Sequence, residues 1–239
     1  MLPKIIAVVG PTASGKTDLG VFLSQNLGGE IVSADAKQVY RGMDIGTAKE
    51  KDLPVPQHLL DIKDPGERIT VAEYQGLAYR EIDRLVAEGK LPVLVGGSGL
   101  YAESVLNGYQ FSADGKSLDQ VPRYTSLKLG IQIDRAALKE RAAARTKRWL
   151  DQGLLDEIRG LIAGGVDPGW LCSCGMEYRY FTLYLGGSLN LDEAMAKTTI
   201  SINQFIKRQY TWWRRHPDLI WVESREEALG LSRKFLAGE

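Results

Sequence analysis

The sequence predicts an α/β fold, a mostly parallel sheet flanked by helices with further helices at its C-terminal end. Three observations predict it. Apolar runs at 5–9, 30–34 and 91–95 read as strands and alternate with helical patterns, the signature of a parallel sheet covered by helices. Each run gives way to small or polar residues, at Gly10, Asp35 and Gly96, and open parallel sheets collect their ligands at such carboxyl ends. Between the first run and the first helical pattern lies Gly10-Pro11-Thr12-Ala13-Ser14-Gly15-Lys16-Thr17, with the spacing G-x-x-x-x-G-K-T.

Taken in order, the first helical pattern runs through Leu19, Phe22, Leu23 and Leu27 and stops at Gly28-Gly29. Residues 42–49 are Gly-punctuated and polar, which suits a loop, and Pro54 and Pro56 keep the next stretch extended. His58 to Ile62 reads as a short or edge strand. Thr70 is placed to cap a helix with Glu73 at the reciprocal position of a capping box, and that helix ends before Gly89. Residues 107–123 form a polar connection without periodicity, and 127–133 a further strand. From 135 to 162 one helical pattern is strongly basic, through Arg135, Lys139, Arg141, Arg145, Lys147 and Arg148. Residues 172–185 suit a helix, 192–215 one long helix ended by Pro217, 220–222 a short strand and 226–235 a closing helix.

Composition bounds the function. The 239 residues are expected to form one domain over 1–239. At 44% hydrophobic and 25% charged, the chain has the balance of a globular protein. Thirty basic and thirty acidic residues cancel, so bulk charge announces no polyanionic partner. Met1-Leu2-Pro3-Lys4 leads straight into the first strand and no apolar run reaches the length of a membrane span. A cytoplasmic protein with no membrane partner is expected, and nothing points to an obligate dimer. Cys172 and Cys174 are too few and too close for a disulfide framework and are expected to be reduced thiols.

The chemistry begins at the Gly-rich loop. A turn of this spacing aims backbone N–H groups into one concavity, and the helix behind it adds the positive end of its dipole. Lys16 supplies a point charge and Thr17 a hydroxyl suited to Mg²⁺, so the loop is expected to bind a di- or triphosphate. Many phosphate-loop proteins place an Asp after a neighbouring strand, but here the run 91–95 leads into Gly-Gly-Ser. Asp35 is the acidic residue at a strand end near the loop. It suits either support of a metal or removal of a proton from an incoming nucleophile, and a turn-capping role is the plainer alternative.

These residues together resemble the tRNA dimethylallyltransferase (isopentenyltransferase) family. The resemblance rests on residues 10–17, on Asp35-Ala36-Lys37-Gln38-Val39-Tyr40-Arg41-Gly42-Met43-Asp44-Ile45-Gly46-Thr47-Ala48-Lys49, and on His58-Leu59-Leu60-Asp61-Ile62. Gly96-Gly97-Ser98-Gly99-Leu100-Tyr101 and Lys207-Arg208-Gln209-Tyr210-Thr211-Trp212-Trp213 complete it, so it spans most of the chain. The resemblance implies transfer of a dimethylallyl group from dimethylallyl diphosphate to N6 of the adenosine 3′-adjacent to a tRNA anticodon, releasing pyrophosphate. It implies that Gly10, Thr12, Ala13, Ser14, Gly15, Lys16 and Thr17 hold the diphosphate, with Mg²⁺ on Thr17 and Arg208 assisting. Asp35 is then the base, with Ser98 and Lys16 beside it. Ala36, Lys37, Gln38, Ser98 and Lys207 face the tRNA, Gln38 reading a flipped-out base.

The chain also departs from the family pattern. Asn203 stands where the family has an arginine, Ala36 replaces a common serine, and Gln57 replaces the first of a His-His pair. Residues 109–123 are too short for the family's helical insertion, so a reduced tRNA footprint is expected, with the basic helix carrying part of the grip. The missing insertion also suits an adenylate isopentenyltransferase acting on free adenine nucleotides. A small-molecule phosphate-loop kinase is a second alternative, and a non-catalytic binding module a third.

Overall fold

A computed structural model describes residues 2–112 and 117–239. The chain runs β1 (Lys4–Val9), α1 (Lys16–Leu27), β2 (Gly29–Ser33), β3 (Gln57–His58), α2 (Val71–Ala87), β4 (Leu91–Gly96) and α3 (Gly99–Leu106). It continues through β5 (Tyr109–Phe111), β6 (Ser117–Gln120), β7 (Thr125–Ile131), α4 (Arg135–Asp151), α5 (Leu154–Ala163) and α6 (Pro168–Cys174). It closes with α7 (Met176–Leu185), α8 (Leu191–Trp213), β8 (Leu219–Val222) and α9 (Arg225–Ala237). Six strands form one sheet in the order β3-β2-β4-β1-β7-β8, every pair parallel. β1 and β4 are buried on both faces, which is why they read as unbroken apolar runs.

Register decides where the site falls. Val9 pairs with Gly96 and Ser33 with Val95, so β1, β2 and β4 end side by side. Past those ends, Ala34 N–H donates to the Val95 carbonyl (2.7 Å) and Ser98 N–H to the Ala34 carbonyl (3.3 Å). The loop 10–15, the Asp35 turn and the Gly97-Ser98 turn therefore leave the sheet along one line.

The core divides into three parts. One lies under α2 and α3 around Ile5, Leu94, Tyr74 and Trp213, and another under α1 and α9 around Ile6, Val8 and Leu23. The third joins Val39, Tyr40 and Met43 to Trp149, Leu154, Tyr178 and Ile206, and so fastens the segment after β2 to the C-terminal helices.

Several expectations are corrected. The single helix expected over 135–162 is two, because Gly153 takes a left-handed φ of 95° and turns the chain between α4 and α5. The helix expected over 172–185 is likewise two, divided at Gly175. Thr70 does accept from the Glu73 N–H, but the Glu73 carboxylate pairs with Lys63 at 2.8 Å instead of closing the capping box. A complete box forms at Asn190 and Glu193, where none was expected. The strand at 58–62 shrinks to Gln57–His58, since Leu59 and Asp61 both have left-handed backbone. The connection 107–123 carries the antiparallel strands β5 and β6, and α3 was not anticipated.

Candidate active site

One cavity of about 830 Å³ opens over the carboxyl ends of β1, β2 and β4. Thr12, Ala13 and Lys16 form one wall, Asp35, Ala36 and Lys37 the next, and Gly97, Ser98 and Tyr101 the third. The C-terminal helices close it with Arg145 from α4, Glu177 from α7, and Arg208, Gln209 and Trp212 from α8.

The loop is bent as a phosphate cradle must be. Gly10, Ala13 and Gly15 have φ of 138°, 62° and 90°, and a left-handed alanine is a strained position that the surrounding loop has to hold. Ser14 is 2% exposed and its Oγ is buried with no partner, an orphan that a phosphate oxygen would satisfy. Lys16 donates from Nζ to the Pro11 carbonyl at 2.6 Å, lying across the mouth of the loop. Burial pulls its pKa down to about 8, against the upward pull of Asp35.

Asp35 both closes a turn and stands in the cavity wall. Its Oδ1 accepts from the Lys37 N–H at 2.9 Å, which fixes the turn, while its carboxylate lines the cavity that the loop also lines. Ser98 Oγ accepts from the Ala36 N–H at 2.9 Å, tying the β4–α3 turn to the residue after Asp35. Gln38 and Lys207 are not drawn into this cavity. Gln38 accepts from Ser33 Oγ at 3.1 Å and reaches toward the Thr47 and Ala48 carbonyls behind the wall. Lys207 lines a second cleft of about 490 Å³ with Gln132, Asp134, Tyr210, Thr211 and Arg214.

Three residues here carry roles that sequence reading did not assign. Buried Gln209 accepts from the Thr12 N–H at 2.8 Å and donates to the Gly97 carbonyl at 2.9 Å, bridging the phosphate loop and the β4–α3 turn. Gly97 permits this approach, for a Cβ there would lie 2.8 Å from Gln209 Nε2. Arg145 donates to Thr12 Oγ1 at 3.1 Å, and its Nε is buried without a partner. The sequence placed Arg145 in a basic RNA-gripping helix; the structure turns it inward to the cradle. Glu177 is the third, a half-buried carboxyl whose pKa burial pushes up to about 7. Their positions in α4, α7 and α8 are too distant in sequence for any local motif to join them to the loop.

The wall at Gly46 and Thr47 is held from behind by Glu157. Its carboxylate accepts from the N–H groups of Asp44, Ile45 and Gly46 at 2.8, 2.7 and 3.3 Å and from Tyr178 Oη at 2.8 Å. Removing it strands four donors at once. Glu157→Ala is expected to destabilise the chain by about 2–4 kcal/mol, read as a lowered midpoint in thermal unfolding. An unchanged midpoint would show that the segment holds itself.

A loop bent in the manner of a phosphate cradle and a carboxylate that share one cavity define an α/β protein of the phosphate-loop class. The model of the IPP transferase family matches residues 38–120 and 110–216. The chain belongs to that family. It is 38% identical to a tRNA dimethylallyltransferase of Streptomyces griseus, covering 92% of this chain and 90% of that one. Its fold is similar to that of a tRNA isopentenylpyrophosphate transferase of Bacillus halodurans (TM-score 0.85, 30% identity, 98% of this chain and 96% of that one). A eukaryotic dimethylallyltransferase solved acting on tRNA shares the fold at TM-score 0.86 and 18% identity, covering 99% of this chain and 80% of that one. Among the described residues no helix is long and apolar enough to cross a membrane.

Proposed function

We propose that this chain transfers the dimethylallyl group of dimethylallyl diphosphate to N6 of the adenosine 3′-adjacent to the anticodon of tRNA. The observation that carries the reading is the shared cavity: the loop and Asp35 line the same space of about 830 Å³. The carbon–oxygen bond of the donor breaks as the carbon–nitrogen bond forms. Asp35 takes the N6 proton, and pyrophosphate leaves against the amides of the loop, Lys16 and Arg145. Negative charge builds on the leaving oxygens, so donors already aimed there lower the barrier without reorganising.

The family's arginine at 203 is missing, and Asn203 leaves its buried Oδ1 without a partner. Arg145 and Arg208, both on the cavity wall, supply positive charge in its place. Trp212, 37% exposed at the rim, offers a stacking face to a neighbouring base, and the cleft holding Lys207 and Arg214 suits the RNA backbone. The family match in two segments that meet at 110–120 supports a shortened insertion and a smaller tRNA footprint.

Mg²⁺ fits the site. Thr17 stands in the first turn of α1 with no hydrogen bond from its hydroxyl among the described residues, so it can give one oxygen to an ion that otherwise keeps waters and diphosphate oxygens. Bound there, Mg²⁺ would neutralise charge on the diphosphate. Thr17→Val is expected to cut transfer at limiting Mg²⁺ by about tenfold or more, recovering in part as the ion is raised. Equal Mg²⁺ dependence in the variant would remove Thr17 from the ion's shell.

The names of the relatives favour tRNA over a free adenine nucleotide, and the family favours prenyl transfer over phosphoryl transfer. The decisive experiment incubates the chain with dimethylallyl diphosphate and either an anticodon stem-loop, whole tRNA or AMP, followed by nucleoside analysis. Prenylated adenosine from the RNA and not from AMP is expected. Prenylated AMP alone would move the assignment to the free-nucleotide enzyme.

A further inference from the structure

Glu177 is a carboxyl in a cavity lined by cations. It lines the cavity with Lys16 and Arg145, and its seat is made by Gly175: a Cβ there would lie 2.8 Å from Glu177 Oε1 and 3.0 Å from Oε2. No salt bridge holds it among the described residues. The charged and titratable groups around it come from four directions. Asp35 and Lys37 face it from the turn after β2, Arg145 from α4, Cys174 from the end of α6, and Tyr178 from its own helix. α8 contributes Arg208 to the same cavity, and Glu50 faces Arg145 from outside it. Burial pulls Arg145 below its usual pKa, and Glu177 is its strongest electrostatic support.

We propose that Glu177 is a positioning residue of the diphosphate cradle, serving as counter-ion to Arg145 in the empty site and taking up a proton when a pyrophosphoryl group arrives. The charges require one of the two to give way. A fixed carboxylate beside a multiply charged diphosphate is repelled, and the same Arg145 cannot fully serve both. Protonation from solvent removes the repulsion and leaves Arg145 to the phosphate; departure of pyrophosphate returns the proton. Near pH 7 this exchange costs little, since burial already holds the carboxyl at about 7. The cradle is thereby cationic toward its donor and yet not so cationic, once empty, as to retain its product.

The proposal rests on the reading of the loop as a diphosphate seat, and inorganic pyrophosphate tests the two separately. Calorimetry on the full chain at pH 7, in two buffers of different protonation enthalpy, counts protons taken up on binding. Lys16 and pyrophosphate itself contribute equally in parent and variant, so the difference isolates Glu177. The parent is expected to take up about half a proton more than Glu177→Gln. Glu177→Gln should also bind pyrophosphate several-fold tighter than the parent at pH 8, with the two converging at pH 6. Glu177→Asp, which keeps the ionisable group, should retain a pH-dependent affinity. Equal proton counts and parallel pH profiles in parent and Glu177→Gln would overturn the proposal while leaving the loop's reading intact. Absence of pyrophosphate binding in the parent would overturn both.

Discussion

Asp35→Ala is expected to reduce prenyl transfer by about 10²–10⁴-fold while leaving pyrophosphate binding no weaker than the parent's. The cradle proposed above comprises the loop, Lys16 and Arg145, none of which has a hydrogen bond to Asp35, so leaving-group affinity is expected to survive its loss. What disappears is the acceptor proposed for the N6 proton. The truncation also takes away the acceptor of the Lys37 N–H, costing about 1 kcal/mol and a few degrees of melting temperature. Asp35→Asn separates the two effects, because its amide oxygen still closes the turn but cannot take a proton at neutral pH. Transfer should be lost in both variants, and stability only in the alanine. If Asp35→Asn retains parent-like turnover, the base lies elsewhere in the cavity.

Gln209→Leu carries the second large effect. This side chain is 6% exposed and bridges two loops: it accepts from Thr12 N–H and donates to the Gly97 carbonyl. Leucine fills the volume but leaves a part-buried donor and a buried acceptor unpaired, a cost of about 2–4 kcal/mol. The phosphate loop then loses its tether to the β4–α3 turn, and with it the fixed relation between cradle and Ser98. Misplacement on the scale of an ångström suffices for about a 10²-fold loss of transfer. Melting temperature and pyrophosphate affinity should fall together. Gln209→Glu, which still accepts from Thr12 N–H, is expected to lie between. A Gln209→Leu chain that melts lower yet binds pyrophosphate normally would confine the residue to a packing role.

The helices show where local sequence fell short. Gly153 and Gly175 divide α4 from α5 and α6 from α7, and a lone glycine within a helical pattern is compatible with either a break or a tolerated interior position. The break is chosen by packing: Trp149, Leu154, Tyr178 and Phe181 enter one core only if the chain turns between them. The capping box expected at Thr70 failed for a related reason. Lys63, ten positions before Glu73 and unconnected to it by any pattern, competes for that carboxylate.

By itself the sequence determined the sheet, the phosphate loop and the place of Asp35, because each depends on a contiguous run: apolar strands, a fixed glycine spacing, an acid at a strand's end. Only the tertiary structure decided that Arg145, Glu177 and Gln209 line one cavity with the loop and that Gln38 stands outside that lining. Backbone geometry is written in neighbours along the chain. The electrostatics of a cavity arise from side chains that meet only after α4, α7 and α8 have packed against the strand ends, and no spacing along the chain encodes that meeting.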